Sequence, residues 1–218
     1  MTLVVKICGL STRATLDAAL EGGADMVGLV FFPASPRHVE LDSARELARA
    51  AAPQAEVVAL TVDADDAQLG AIIAAVSPQL LQLHGHETPQ RVAAIKQRFG
   101  LPVMKALPIA TAADLAVLPD YAAVADRLLF DARPPKDATR PGGLGACFDW
   151  TLLQGIELAV PYMVSGGLSP ANVAEALRIS RATGVDVSSG VESAPGVKDP
   201  DLIRAFIRAA RATEQLSV

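Results

Sequence analysis

Residues 26–51 read MVGLVFFPASPRHVELDSARELARAA, and three patterns follow one another within them. The first six residues are apolar without alternation, which suits a parallel strand covered on both faces. A polar turn, PASPRH, comes next. From Asp42 to Ala51 alanine and leucine recur at helical spacing with charged residues between them. Strand, loop and amphipathic helix in that order make one βα unit, and its strand needs neighbours to cover it.

The same succession recurs along the whole chain. Short apolar, β-branched runs stand at 3–7, 26–31, 57–62, 80–83, 103–106, 127–131, 162–165 and 185–187. Helical patterns follow at 12–21, 42–51, 65–76, 89–99, 112–118, 149–154, 170–180 and 199–211. Asp42 and Ser169 are expected as N-caps, and Gly22–Gly23 and Gly100 as helix ends. In the last helix Leu202, Ile203, Phe206, Ile207 and Ala210 form one stripe that should face the strands. With no second composition regime and no low-complexity linker, the expectation is an α/β chain forming a single domain over 1–218, a closed (β/α)8 TIM barrel. An open doubly wound sheet competes, but it seldom needs eight units and usually carries an early glycine fingerprint, absent here. The sixth unit is the least regular, because a long irregular segment precedes its short helix.

Composition narrows the function. The chain has 218 residues, 51% of them hydrophobic, and a net charge of −5, so a large core is available and no basic footprint points to nucleic acid or an anionic membrane. An anionic ligand would have to be held by local groups. The N-terminus turns polar within ten residues, unlike a signal peptide, and no apolar stretch approaches the roughly 20 residues that span a bilayer. Two cysteines, Cys8 and Cys147, make no disulfide framework. A cytoplasmic protein is expected, as monomer or homodimer.

In such a barrel the active site forms where the strands end. Strand one ends in Cys8–Gly9, strand two leads into Ser35-Pro36-Arg37-His38, strand four into Gln82-Leu83-His84-Gly85, and strand six ends in Asp131. Glycine turns follow strands six, seven and eight: Gly142, Gly143 and Gly145, then Gly166–Gly167, then Ser189–Gly190 after Asp186. Glycine lets backbone N–H groups approach an anion, and barrels often hold phosphate at these last loops, so a phosphorylated small molecule is the natural ligand. Arg37 offers a planar fork for a carboxylate. His84 and His86 lack a compelling set of further ligands, so no metal site is expected; His84 is placed at the pocket and His86 in a loop. A carboxyl leaving an apolar strand, as Asp131 does, can donate a proton, and a thiol such as Cys8 can take one as thiolate. Cys147 has no such expected role.

Seven segments together resemble the phosphoribosylanthranilate isomerase family of tryptophan biosynthesis. They are KICGL (6–10), VFFPASPRHV (30–39), LQLHG (81–85), FDARPP (130–135), GGLGACFDW (142–150), SGGLSPANV (165–173) and DVSSGVESAPGVKD (186–199). The resemblance implies a cofactor-free Amadori rearrangement of phosphoribosylanthranilate to carboxyphenylamino-deoxyribulose phosphate. It further implies Cys8 as general base, Asp131 as general acid, Arg37 on the anthranilate carboxylate, and the phosphate against Gly142, Gly143, Gly145, Gly166, Gly167, Ser189 and Gly190. Gln82, His84 and Asp186 are expected to line the pocket. The family usually has Ser or Thr between the glycines of GGxG, whereas this chain has Leu144, so one hydroxyl contact should be missing. The nearest rivals are other phosphate-binding barrel enzymes, which would need an aspartate base on strand one, several strand-end lysines or a metal-binding His/Asp set. Further rivals are a nucleophilic Cys8 in a hydrolase or transferase, marked by a covalent acyl-enzyme, and a non-catalytic phosphate-binding barrel.

Overall fold

The computed structural model describes residues 2–133, 138, 141–143, 145 and 147–214. Eight parallel strands close on themselves in sequence order: β1 (Val4–Cys8), β2 (Met26–Phe31), β3 (Glu56–Thr61), β4 (Leu80–Leu83), β5 (Val103–Ile109), β6 (Arg127–Ala132), β7 (Tyr162–Val164) and β8 (Gly184–Val187). Closure is explicit in the register, where β1 pairs with β2 on one side and with β8 on the other, through Lys6 with Asp186 and Ile7 with Val187. The (β/α)8 barrel expected from the succession of units is present.

Helices cover the outside: α1 (Arg13–Gly22), α2 (Leu41–Ala51), α3 (Asp66–Val76), α4 (Pro89–Phe99), α5 (Leu118–Ala122), α6 (Val173–Ser180) and α7 (Pro200–Ala212). Local chemistry sets their ends. Thr12 caps α1, Asp65 and Gln68 form a reciprocal capping box on α3, and Gly23 and Gly100 end α1 and α4 in the left-handed region. In α7 the stripe Ile203, Phe206, Ile207 and Ala210 is buried, with Leu202 at its edge. No helix among the described residues is long and apolar enough to cross a membrane.

Four local expectations differ from what forms. Asp42 is not the cap of α2, which starts one residue earlier behind Glu40; the Asp42 carboxylate accepts from Arg45 at 2.6 Å instead. Ser169 does not open a helix at Pro170. Asn172 takes the Ser169 N–H on its side-chain oxygen (2.7 Å) and donates its amide to the Gly167 carbonyl (3.0 Å), which holds 169–172 as a loop until α6 begins at Val173. The fifth helix is a 3₁₀ segment, Ala112–Val117, that passes into α5 where Pro119 permits a fresh start. The sixth is only a 3₁₀ turn, Trp150–Leu153, capped by Asp149. An unforeseen hairpin, β9 (Glu192–Ala194) with β10 (Val197–Lys198), rises after β8.

Candidate active site

Successive side chains of a strand point to opposite faces, so the register decides which set enters the bore. Met26, Val58, Leu80, Met104, Ala106, Leu129 and Met163 form an apolar cluster there, separate from the larger core between strands and helices. Further along the inward faces come Cys8, Val30, Leu60, Asp131, Ser165 and Asp186, which line a single cavity with Arg37, His84, Ser189 and the glycines 142, 143, 145, 166 and 167. Counted to its open mouth the cavity encloses about 780 Å³, room enough for a small phosphorylated molecule. Two expected members do not reach it. Gln82 is fully buried behind His84, and Gly190 is absent from the lining.

Cys8 ends β1 almost wholly buried, and below it on the same face lies Lys6, with no exposed surface. The Lys6 ammonium donates to Asp186 at 2.9 Å. Burial pushes the Cys8 thiol up most strongly; Lys6 pulls it down, Asp186 raises it and Lys198 lowers it, and the balance lies above the ordinary thiol value. Burial alone would lower Lys6, but Asp186 and Cys8 outweigh it and hold the ammonium charged. The resting cysteine is a thiol beside a permanent positive charge.

Across the bore, one Asp131 oxygen accepts from the Ala132 N–H at 2.9 Å and the other faces His84 Nε2 at 3.2 Å. Gln82 Nε2 lies 3.3 Å from His84 Nδ1, while its Oε1 has no partner among the described residues. A Cβ on Gly142 would come within 2.6 Å of one Asp131 oxygen, and one on Gly166 within 2.8 Å of the other. Two glycines thus let backbone press against a carboxyl that is exposed only to the cavity.

Arg37 crosses the mouth and is itself buried. Its Nε and Nη2 donate to the two oxygens of Glu192 at 2.6 and 2.8 Å, and Nη2 also reaches the Gly143 carbonyl at 3.1 Å. Lys198 donates to the same Glu192 at 2.7 Å and to Ser188. Two cations on one carboxylate leave a net positive charge, which suits one further anion. Burial would raise Glu192, but the bonds from Arg37 and Lys198 dominate and hold it down at about 2. With the folded value below the unfolded 4.5, ionised Glu192 stabilises the fold above pH 4.5 and loses that effect as pH falls towards 2. The Tm gap between wild type and Glu192→Gln is therefore expected to be widest above about pH 5 and to shrink steadily down to about pH 3. A gap independent of pH would show that the charge contributes nothing.

The glycine turns meet at the rim over the ends of β6, β7 and β8. Gly166 and Gly167 both have positive φ (81° and 62°), and the N–H groups of Gly166, Gly167, Ser189 and Gly190 donate to nothing among the described residues. Gly190 has a packing reason of its own, since a Cβ there would sit 1.7 Å from the Leu168 carbonyl oxygen. Leu144, with Ala146 and the two prolines at 134 and 135, lies outside the described residues.

Several polar residues are elsewhere. Lys105 points outward and is buried against Glu87 (2.8 Å) and the Leu83 and Gly85 carbonyls. Asp63 and His86 pair at 3.0 Å on the surface. Cys147 is exposed and donates to the Gly167 carbonyl. No group of three potential ligands that could hold a metal occurs among the described residues. Lys6, Glu192 and Lys198 escaped the sequence reading. For Lys6 the signal was available: a lysine inside LVVKIC, two positions before the cysteine, must share its face. Glu192 and Lys198 carried none, because the hairpin that delivers them was not foreseen.

Comparison with known proteins follows the geometry. The sequence model of the family described as N-(5'phosphoribosyl)anthranilate (PRA) isomerase matches residues 5–209. The chain is 77% identical over 218 residues to N-(5'-phosphoribosyl)anthranilate isomerase of Rhodopseudomonas palustris strain BisA53, covering all of both chains. The crystal structure of phosphoribosyl anthranilate isomerase from Thermotoga maritima aligns with a TM-score of 0.86 at 32% identity, over 97% of this chain and 100% of that one. A phosphoribosyl anthranilate isomerase solved with reduced 1-(o-carboxyphenylamino)-1-deoxyribulose 5-phosphate aligns at 0.83 and 31% identity, over 97% and 100%. A match that runs from the first strand into the last helix, joined to full-length identity of this order, makes the chain a member of the phosphoribosylanthranilate isomerase family of enzymes.

Proposed function

We propose that this isomerase performs the Amadori rearrangement of phosphoribosylanthranilate with Cys8 as general base and Asp131 as general acid. The observation that carries the reading is the sharing of one cavity by a buried thiol on β1 and a carboxyl on β6, three strands apart around the ring. Asp131 gives its proton to the furanose ring oxygen as the bond from that oxygen to C1 breaks, and the anthranilate nitrogen supplies the electron pair that makes the iminium. The iminium acidifies the C2 proton, which passes to the Cys8 thiolate. Electrons of that C–H bond then neutralise the nitrogen and leave an enolamine, which tautomerises to the ketone. Each step needs only a proton donor and a modest base at a fixed distance.

The ends of the substrate fit two parts of the rim. The carboxylate is assigned to Arg37, whose Nη1 is not used by Glu192, and the positive balance of the Arg37–Glu192–Lys198 group supports one more negative charge there. The phosphate is assigned to the backbone donors of Gly166, Gly167 and Ser189, and Gly190 supports that loop by its packing; Gly142 and Gly143, expected beside the phosphate, stand instead against Asp131 and Arg37, and Gly145 lines the same cavity. Backbone N–H groups can hold an anion without a formal counter-charge. Gly167→Val puts a β-branched residue at φ 62°, a strained conformation for it, and should turn the donors away. KM is expected to rise about tenfold or more, the equivalent of a little over 1 kcal/mol. Unaltered KM and unaltered inorganic phosphate binding in this variant would move the phosphate elsewhere.

The reading as a whole is tested by adding enzymatically generated phosphoribosylanthranilate and following the loss of its fluorescence. Turnover without added metal or cofactor is the expected result. Binding without turnover would make the barrel a phosphate-binding module.

A further inference from the structure

Lys6 plays no part in the steps above, yet it is a fully buried charge directly beneath the proposed base. Its ammonium has three donors. One goes to Asp186 at 2.9 Å, whose second oxygen accepts from Ser165 at 3.4 Å. Gly28, on the neighbouring strand, marks where the other end of the contact lies. A Cβ at that position would be 2.8 Å from Cys8 Sγ and 3.1 Å from Lys6 Nζ, so the missing side chain is what allows the two polar tips to share one stretch of wall. Lys6 and Cys8 stand two residues apart on the inward face of β1, and the pairing of Lys6 with Asp186 fixes the third member.

A buried lysine–aspartate pair is not by itself a source of stability, since desolvating both charges cancels much of their attraction. Here the pair has a neighbour that gains or loses a negative charge. We propose that Lys6 is a positioning residue for the base: its ammonium, held between Asp186 and Cys8, carries the negative charge of the Cys8 thiolate when it forms, and Asp186 competes for it. This inference rests on Cys8 being the base. Other charges reach Cys8 less directly. Lys198 is committed to Glu192 and Ser188, while Arg37, His84 and Asp131 line the cavity beyond the thiol. Lys6 and Asp186 are the groups packed beside it in the wall.

The two neighbours act on Cys8 in opposite directions, as burial effects alone would not. In a Cys147→Ser background, Cys8 is the sole thiol and its thiolate can be titrated by ultraviolet absorbance. Asp186→Asn is expected to lower the Cys8 midpoint, because Lys6 is then released to the thiolate. Adding Lys6→Met to Asp186→Asn should raise it again by about one pH unit or more, the usual effect of an opposite charge at this range. The double variant leaves no unpaired charge in the bore and is therefore the form of the Lys6 substitution best suited to fold. Its kcat at neutral pH should fall below that of Asp186→Asn about tenfold while KM changes less than about threefold, and Lys6→Arg should recover part of the loss. Identical thiol titrations in Asp186→Asn and the double variant would overturn the proposal. The titration uses no substrate. A wild type that fails to rearrange phosphoribosylanthranilate therefore sinks the proposed function, whereas an unmoved titration in an active enzyme sinks Lys6 alone.

Discussion

Cys8→Ser is expected to fold and bind inorganic phosphate as the wild type does and to lose about two to four orders of magnitude in turnover, the range associated with a general base. Serine is close to cysteine in size, and the Cys8 side chain meets Lys6 and the cavity in a nearly closed wall, so the exchange leaves packing almost unchanged. What it removes is a thiol, a far stronger acid than a serine hydroxyl and one whose anion can form beside Lys6. A hydroxyl in the same place keeps its proton, and Lys6 is left with Asp186 alone. The pH dependence sharpens the test. Because burial sets Cys8 above the ordinary thiol value, only a minority of the free enzyme carries the thiolate at neutral pH, and wild-type kcat/KM should climb with pH through that range. The same limb should vanish in Cys8→Ser. Melting curves check the fold and steady-state kinetics check the rest; wild-type turnover in the serine variant would remove Cys8 from the mechanism. Mass spectrometry on a quenched reaction separates the base from the nucleophile, since only a nucleophilic Cys8 would carry a covalent adduct.

The barrel was legible because it is written in repeated, redundant form. Each strand is a short apolar run and two of the helices end in a glycine, so Gly23 and Gly100 could be placed before any coordinates. The pocket followed from the same rule, as strand ends and glycine turns fall on one face of any such barrel. Failures cluster where side chains divert the backbone through contacts that sequence spacing does not reveal. Asn172 suppresses a helical start by bonding both Ser169 and Gly167, and Asp42 prefers Arg45 to the helix end. Gln82 illustrates a depth problem: it stands two positions before His84, buried beneath it and out of reach of the cavity. Arg37 was found as a candidate anion fork, but its bidentate partner Glu192 was not, because the hairpin bearing it comes 155 residues later in the chain.

Asp131→Asn is expected to cost turnover on the same scale as the cysteine variant, about two to four orders of magnitude, through the other half of the reaction. The amide matches the carboxyl in shape, and its oxygen can still accept the Ala132 N–H that one Asp131 oxygen now accepts at 2.9 Å. His84 can still meet the second position, where it now stands 3.2 Å from the carboxyl. The lost property is a proton that can pass to the ring oxygen as the sugar opens. Without it the C1–oxygen bond could open only by expelling an unprotonated alkoxide, so the ring stays closed, the iminium does not accumulate, and the C2 proton is not acidic enough for Cys8 to take. The two variants should therefore fail at different steps, which gives a sharper test than rate alone. Solvent-exchange labelling at C2 requires the ring to be open, so it should be absent in Asp131→Asn. An already opened, acyclic imine analogue of the substrate would bypass the acid and should lose its C2 proton in Asp131→Asn but not in Cys8→Ser. An Asp131→Asn enzyme that turns over the cyclic substrate at the wild-type rate would mean that the proton for ring opening comes from elsewhere. His84, which stands 3.2 Å from Asp131 in the same cavity, would then be the next group to replace.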